Sequence, residues 1–172
     1  EEKIPSYSSQ GKWSDSVAET FDSGNGSKEN PYVIKTASEL ALLAKNVNKG
    51  ESYKDAYFKL NNNIDLTEKY WISIGNAEDK AFSGHFNGNG YEVKLNTENQ
   101  KVSGLFGYTA NAEITLLGVD GLVSGEDIGG GIVSIARDTK IENCYSNTVV
   151  LADEYVGGLV GQLLSGSKVT NC

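Results

Sequence analysis

An all-β solenoid of stacked parallel strands, opened by a single helix, is the fold class the sequence predicts, and three observations carry it. The first is repetition at a fixed interval. Gly104-Leu105-Phe106-Gly107, Gly131-Ile132-Val133-Ser134 and Gly158-Leu159-Val160-Gly161 start 27 residues apart, then 27 again. The second is a companion apolar run at Ile114, Ile141 and Val169, spaced 27 and then 28 residues, so one loop gains a residue without breaking the pattern. The third is residue choice: short β-prone runs separated by Gly, Asn, Ser and Asp at this period mark units that bury their apolar side only against neighbouring units. Fifteen of the 20 glycines lie at or after Gly84 and both prolines precede residue 32, so composition divides the chain into an opening segment and a coil.

Strands stacked about 4.8 Å apart line up equivalent side chains in columns. The columns expected here are Leu105/Ile132/Leu159, Phe106/Val133/Val160 and Ile114/Ile141/Val169. Because side chains alternate across a strand, only one of the first two columns should point straight into the core, leaving the other at a bend or on an outer face. Flanking glycines suit the sharp turns between strands, where positive φ and close backbone approach are needed.

These same residues carry a family resemblance. Gly158-Leu159-Val160-Gly161 followed by Ser167-Lys168-Val169-Thr170-Asn171-Cys172 resembles the GLUG-motif repeat of bacterial surface proteins. The unit from Gly131 to Cys144 is similar, with Ser134 in place of the final glycine, and the first unit has Leu116-Leu117 where the later units have Asn-Cys. Upstream, Trp71-Ile72-Ser73-Ile74-Gly75 and the run from Phe82 to Tyr91 resemble the segment that leads into such repeats, so the likeness covers residues 24–172. It implies a right-handed parallel β-helix in secreted or wall-attached proteins, some adhesin-like and some fused to immunoglobulin-cleaving metallopeptidases. It implies no catalytic residue in the repeats.

The length of 172 residues fits one domain, read as strands and turns over 1–35, a capping helix over 36–49 and the solenoid over 57–172. With 15 Lys and Arg against 23 Asp and Glu the formal charge is −8, which argues against broad attraction to nucleic acid or anionic membrane. No apolar run reaches the roughly 18 residues a spanning helix needs. The chain opens at Glu1 without an initiator Met, and a processed or trimmed chain whose signal peptide lay upstream is the expected reading. Because Val169 to Cys172 stops within a unit, with no closing segment after it, the natural protein is expected to continue with more repeats or another domain.

In the opening segment, Trp13, Val17 and Phe21 read as anchors for short strands, and Asp22 to Ser27 as a tight turn before Pro31. That turn is acidic and Asn-rich, yet it lacks the terminal Glu of a calcium loop. Thr36-Ala37-Ser38-Glu39 is a capping box opening a helix from Ala37 to Asn48. Leu40, Leu43, Ala44 and Val47 share one face, Lys45 and Lys49 suit the dipole's negative end, and Gly50 stops the helix. Its expected role is a lid over the first strands, since an uncovered end would expose unpaired edges. Strands follow at Tyr57–Leu60, Ile64–Leu66 and Tyr70–Ile74, with Asn61-Asn62-Asn63 as a corner that tolerates the left-handed conformation. The glycine-rich run Gly84 to Gly90 is read as a turn between strands, with no helix after it to cradle phosphate.

Chemistry-bearing patterns are sparse. There is no zinc-helix, nucleophile-elbow, phosphate-loop or dinucleotide motif, and neither cofactor nor metal is expected. His85, the one histidine, lacks an evident orienting partner and is read as structural or solvated. Cys144 and Cys172 hold equivalent places in successive units, within disulfide reach of each other, and stacked free thiols are the preferred reading. Asp120, Glu126-Asp127 and Asp153-Glu154 are placed in solvated turns, and the one arginine, Arg137, precedes Asp138 directly. A polysaccharide-degrading enzyme is therefore the third function class. The first is a non-catalytic secreted or cell-surface module for adhesion or spacing, coupled to other domains of its polypeptide. The second is a carbohydrate-binding module that meets a host or cell-wall glycan, or a matrix protein, through Tyr91, Tyr108, Tyr145 and Tyr155.

Overall fold

A computed structural model describes residues 3–172. A short 3-10 turn at Trp13–Asp15 precedes β1 (Tyr32–Ile34), helix α1 (Ala37–Asn48), β2 (Tyr57–Leu60) and β3 (Ile64–Asp65). A second 3-10 turn, Glu78–Lys80, leads to β4 (His85–Asn87), β5 (Glu92–Asn96), β6 (Gln100–Ser103), β7 (Phe106–Ala110) and β8 (Glu113–Thr115). The chain then runs through β9 (Gly118–Gly130), β10 (Val133–Arg137), β11 (Lys140–Glu142), β12 (Tyr145–Leu151), β13 (Tyr155–Gly157), β14 (Val160–Leu163) and β15 (Lys168–Thr170).

The protein is thus predominantly β, with parallel sheets and one α-helix. The first sheet has the order β1-β2-β4-β8-β11-β15, the second β7-β10-β14 and the third β3-β5-β9-β12. The thirteen-residue β9 turns a corner without leaving its ladders: its first half pairs with β5 and β12, its second half with β6 and β13. A parallel partner cannot be reached by a hairpin, so each strand pairs with one that lies a full circuit of the chain away. The expected interval is visible in the register, where Phe86 pairs with Ile114, Ile114 with Ile141 and Ile141 with Val169.

Both disputed columns enter the core. Phe106 and Val133 pair within the second sheet, and Leu105 and Ile132 occupy the bend just before it; all four are fully buried. Alternation across a strand forbids two adjacent inward side chains, but the bend between the residues of each pair removes that constraint. The Leu105/Ile132 column thus sits at a bend, one of the two expected places, and from that bend it is buried as fully as Phe106/Val133. Aromatic rings fill the core's earlier part, with centroids 6.0 Å apart for Phe58–Phe82, 5.1 Å for Phe82–Phe106 and 5.4 Å for Phe86–Phe106. Aliphatic side chains replace them later in the chain.

Helix α1 matches its expected bounds. Thr36 Oγ1 accepts from the Glu39 amide while the Glu39 carboxylate accepts from the amides of Lys35 and Thr36, so the box satisfies donors that the first turn leaves unpaired. Leu40, Ala41, Leu43, Ala44 and Val47 are buried in the same core as the strands. At the helix's last residue, Asn48 donates to the Ser73 carbonyl and accepts from the amides of Gly75 and Asn76. Trp13 packs nearby and donates its indole N–H to the Leu66 carbonyl at 2.9 Å.

Other expectations are corrected. Tyr70–Ile74 is no continuous strand: only isolated bridges form, and between them the Ser73 amide donates to the Gln100 side chain while the Ser73 carbonyl accepts from Asn48. Trp13 sits in a 3-10 turn rather than a strand, and Phe21 packs on Tyr32 and Phe58 from a loop. Asn61–Asn63 forms a corner without positive φ. The left-handed residues between the first and third sheets are instead Asn89, Leu116 and Asn143, and Asn171 has the same conformation after β15. Within Gly84 to Gly90, His85–Asn87 is strand β4, and only Gly88–Gly90 turns. Asp120 and Glu126-Asp127 lie inside β9, not in turns, because β9 rounds its corner as continuous strand.

Candidate functional site

Alternation that sends Phe58, Phe86, Ile114 and Ile141 inward sends their neighbours outward. On the outer face of the first sheet the in-register row is therefore Tyr57, His85, Glu113, Lys140 and Lys168, with Lys59, Asn87, Thr115, Glu142 and Thr170 beside it. A trough of about 260 Å³ opens on this face, lined by Lys28 and Pro31 from the turn before β1 and by Tyr57, Lys59, His85, Asn87, Glu113 and Thr115.

The geometry of the row follows from the strand spacing. The rings of Tyr57 and His85 stack with centroids 4.1 Å apart and planes 3° from parallel. Stacking across adjacent strands covers ring faces and leaves ring edges for solvent. Glu113 Oε2 stands 3.7 Å from His85 Nδ1. This carboxylate is the partner that His85 lacked in the sequence, where the two lie a full unit apart. Farther along, Lys140 Nζ meets Glu142 Oε2 at 2.8 Å, and this hydrogen bond, then the charges of Glu142 and Glu113, raise the lysine's pKa. Asn87 Oδ1 accepts from the Asn89 amide at 2.7 Å and holds the corner that follows β4.

The four tyrosines singled out in the sequence occupy separate places. Tyr91 follows the Asn89-Gly90 corner, half-buried against the core. Tyr108 lies on β7 in the second sheet, where burial raises its phenol's pKa. Tyr145 opens β12 in the third sheet, covers Gly118 and donates to Glu92 at 2.7 Å; that bond, followed by burial, raises its pKa. Tyr155 opens β13 and is 49% exposed. Among the described residues no aromatic contact joins any two of them.

Cys144 and Cys172 are free thiols, the former buried and the latter exposed. Burial, the largest cause, pushes the Cys144 thiol up to about 11. Stacking is direct, since the Cys144 amide donates to Cys172 Sγ at 3.4 Å. The Asp22–Ser27 segment is a turn, with the amides of Asn25 and Gly26 donating to the Asn30 carbonyl. A second cavity, of about 330 Å³, lies between α1, Trp13 and Trp71.

No family model matches the chain. Over 138 residues, 75% of this chain, it is 34% identical to a protein of Evansella cellulosilytica described as "Putative Gly-rich membrane protein", of which it covers 14%. Over 162 residues, 86% of this chain, it is 28% identical to the "Halomucin" of Haloquadratum walsbyi, of which it covers 2%. The chain therefore spans a small part of either relative. Among solved structures, one described as "a putative immunoglobulin A1 protease from Bacteroides ovatus" aligns with a TM-score of 0.53 over 87% of this chain and 66% of that chain. At 18% identity this likeness shows a shared fold alone. No helix among the described residues is long and apolar enough to cross a membrane.

Proposed function

We propose that the chain is a right-handed parallel β-helix module of the GLUG-repeat kind, borne on a secreted or cell-surface bacterial protein, that binds a partner without transforming it. The observation that carries this reading is the six-strand first sheet: parallel throughout, held by a continuous core, and bearing an open polar trough on its outer face. Such a face is fixed by the ladders beneath it, so its side chains meet a ligand without the entropic cost of ordering a loop. Helix α1 acts as the lid of the first circuit, and residues 3–172 behave as one unit because helix and strands share one core. The membrane description of the Evansella relative supports a surface location, and the solved neighbour supports the architecture.

The test is retention of the purified chain on an array of glycans and matrix proteins, scored together with loss of the immobilised ligand. Retention without loss is the expected result. Silence across a well-populated array would leave the chain as a spacer. A second reading, polysaccharide cleavage, takes its prompt from the Glu113 carboxylate standing 3.7 Å from His85 Nδ1, a pair that would act as a general base once drawn within hydrogen-bond reach. Measurable loss of ligand that disappears in His85→Ala would establish that reading instead.

A further inference from the structure

We infer that the trough on the first sheet is a binding site for an acidic oligosaccharide. This rests on the recognition reading above and adds the place and the ligand's chemistry.

Charge comes first. The chain is formally −8, yet the outer face of the first sheet gathers Lys28, Lys59, Lys140 and Lys168 against Glu113 and Glu142. Glu142 is paired with Lys140, and Glu113 stands 3.7 Å from His85, an ion pair when the imidazole is protonated, so the trough's own charges are two lysines against one carboxylate. Lys28 and Lys59, which line the trough itself, take no ion pair among the described residues. A local cationic site on an anionic protein selects an anionic ligand at short range, while the whole-molecule field gives it no long-range attraction.

The neutral groups narrow the class. Tyr57 lies between Pro31 and His85, both lining the trough, and His85 covers one face of its ring. Sugar stacking on that face is blocked, and the phenol and imidazole meet a ligand through polar edges. Asn87 uses its Oδ1 internally, and none of the described hydrogen bonds engages its Nδ2. With the Thr115 hydroxyl and the Glu113 carboxylate, the trough interleaves donors and acceptors between cations, which suits a chain of hydroxyls and acid groups. An acidic peptide fits less well. It would gain affinity by pairing its backbone with a strand edge, but β2, β4 and β8 are each paired on both sides.

The experiment is an NMR and calorimetric titration of the whole chain with a short oligoglucuronate, its carboxyl-reduced counterpart, and a sulfated oligosaccharide of the same length. The expected result is binding of an acidic ligand with amide shifts centred on β2, β4 and β8. Affinity should weaken with salt, fall at least about tenfold in Lys28→Gln/Lys59→Gln, and be far lower for the reduced sugar. Asn87→Ala should weaken binding further without changing the salt dependence. The carboxylate and sulfate arms tell which acid group the site takes. Equal binding of the reduced sugar would overturn the ionic argument and leave the recognition reading standing. Shifts centred on Tyr145 and Tyr155, or affinity unchanged in the double variant, would overturn the trough as the site. Failure of every glycan alongside retention on a matrix protein would overturn this inference alone, whereas failure on the full array would remove both.

Discussion

The inner circuits and the last one carry the same kinds of residue at the same positions, yet they differ in burial. Ile114 and Ile141 are fully buried in the first sheet, while Val169, next in that column, is 40% exposed. Leu105 and Ile132 are fully buried, and Leu159 is only partly so. Within residues 3–172 the inner positions have a strand on either side, and Val169 and Leu159 have one on one side only. At the opposite end, α1 and Trp13 supply the missing cover. Burial in this architecture is conferred by adjacent circuits, so identical sequence signals carry different energies along the chain.

The largest expected effect breaks that comparison open. Ile114→Ala should cost about 2–5 kcal/mol, because it leaves a cavity between two packed neighbours. Val169→Ala should cost about 1 kcal/mol, since the residue is already 40% exposed and leaves no enclosed cavity. Chemical denaturation of the two variants measures both, and equal costs would contradict the account.

The repeated glycine gives a second contrast. At Gly131 a Cβ would meet Ser146 Oγ at 2.3 Å and the Gly158 carbonyl oxygen at 2.4 Å, whereas at Gly158 nothing lies within 4 Å. Gly131→Ala should destabilise by about 1–3 kcal/mol through overpacking, and Gly158→Ala should stay within about 0.5 kcal/mol of the parent. Melting temperatures of the pair decide it.

The corner between the first and third sheets sharpens the comparison further. Asn89 and Asn143 adopt left-handed backbone there, as Asn171 does after β15, but the equivalent residue between β8 and β9 is Leu116, with φ 51° and 44% exposure. Asparagine tolerates that conformation better than leucine, so Leu116→Asn should stabilise by about 0.5–1 kcal/mol. A loss of stability in the same denaturation assay would show that Leu116 contributes packing its exposure does not suggest.

The cysteines provide the smallest contrast, in rate rather than stability. Cys172 is exposed and Cys144 is buried with its thiol pushed up to about 11, so iodoacetamide should modify Cys172 rapidly and Cys144 only on opening. The native fold holds the Cys144 proton more tightly than the unfolded chain. Its contribution to stability is therefore complete below the ordinary thiol range and is lost as pH rises through that range towards about 11. Mass spectrometry after timed labelling checks the rates.

What was legible in the sequence follows the same physics. Columns such as Ile114/Ile141/Val169 could be found because apolar identity repeats at the interval of the circuit. Helix α1 could be bounded because its signals are local, from Thr36 to Gly50. The trough could not be found: Tyr57, His85, Glu113 and Lys140 are in register, but as outward residues they share no chemistry that a repeat search recognises. Tyr70–Ile74 misled because at its centre the backbone bonds of Ser73 go to the side chains of Gln100 and Asn48, which nothing local announces. The two inward columns at Leu105 and Phe106 required knowing where the chain bends.

Hydrogen exchange resolved by strand tests the central claim most directly, that each circuit owes its stability to the circuits on either side. The expected result is strong protection in β4, β8 and β11, with amides of β14 and β15 exchanging at least about a hundredfold faster through local opening. Uniform protection from β4 to β15 would contradict it, because the last circuit would then be as secure with one neighbour as the inner ones are with two.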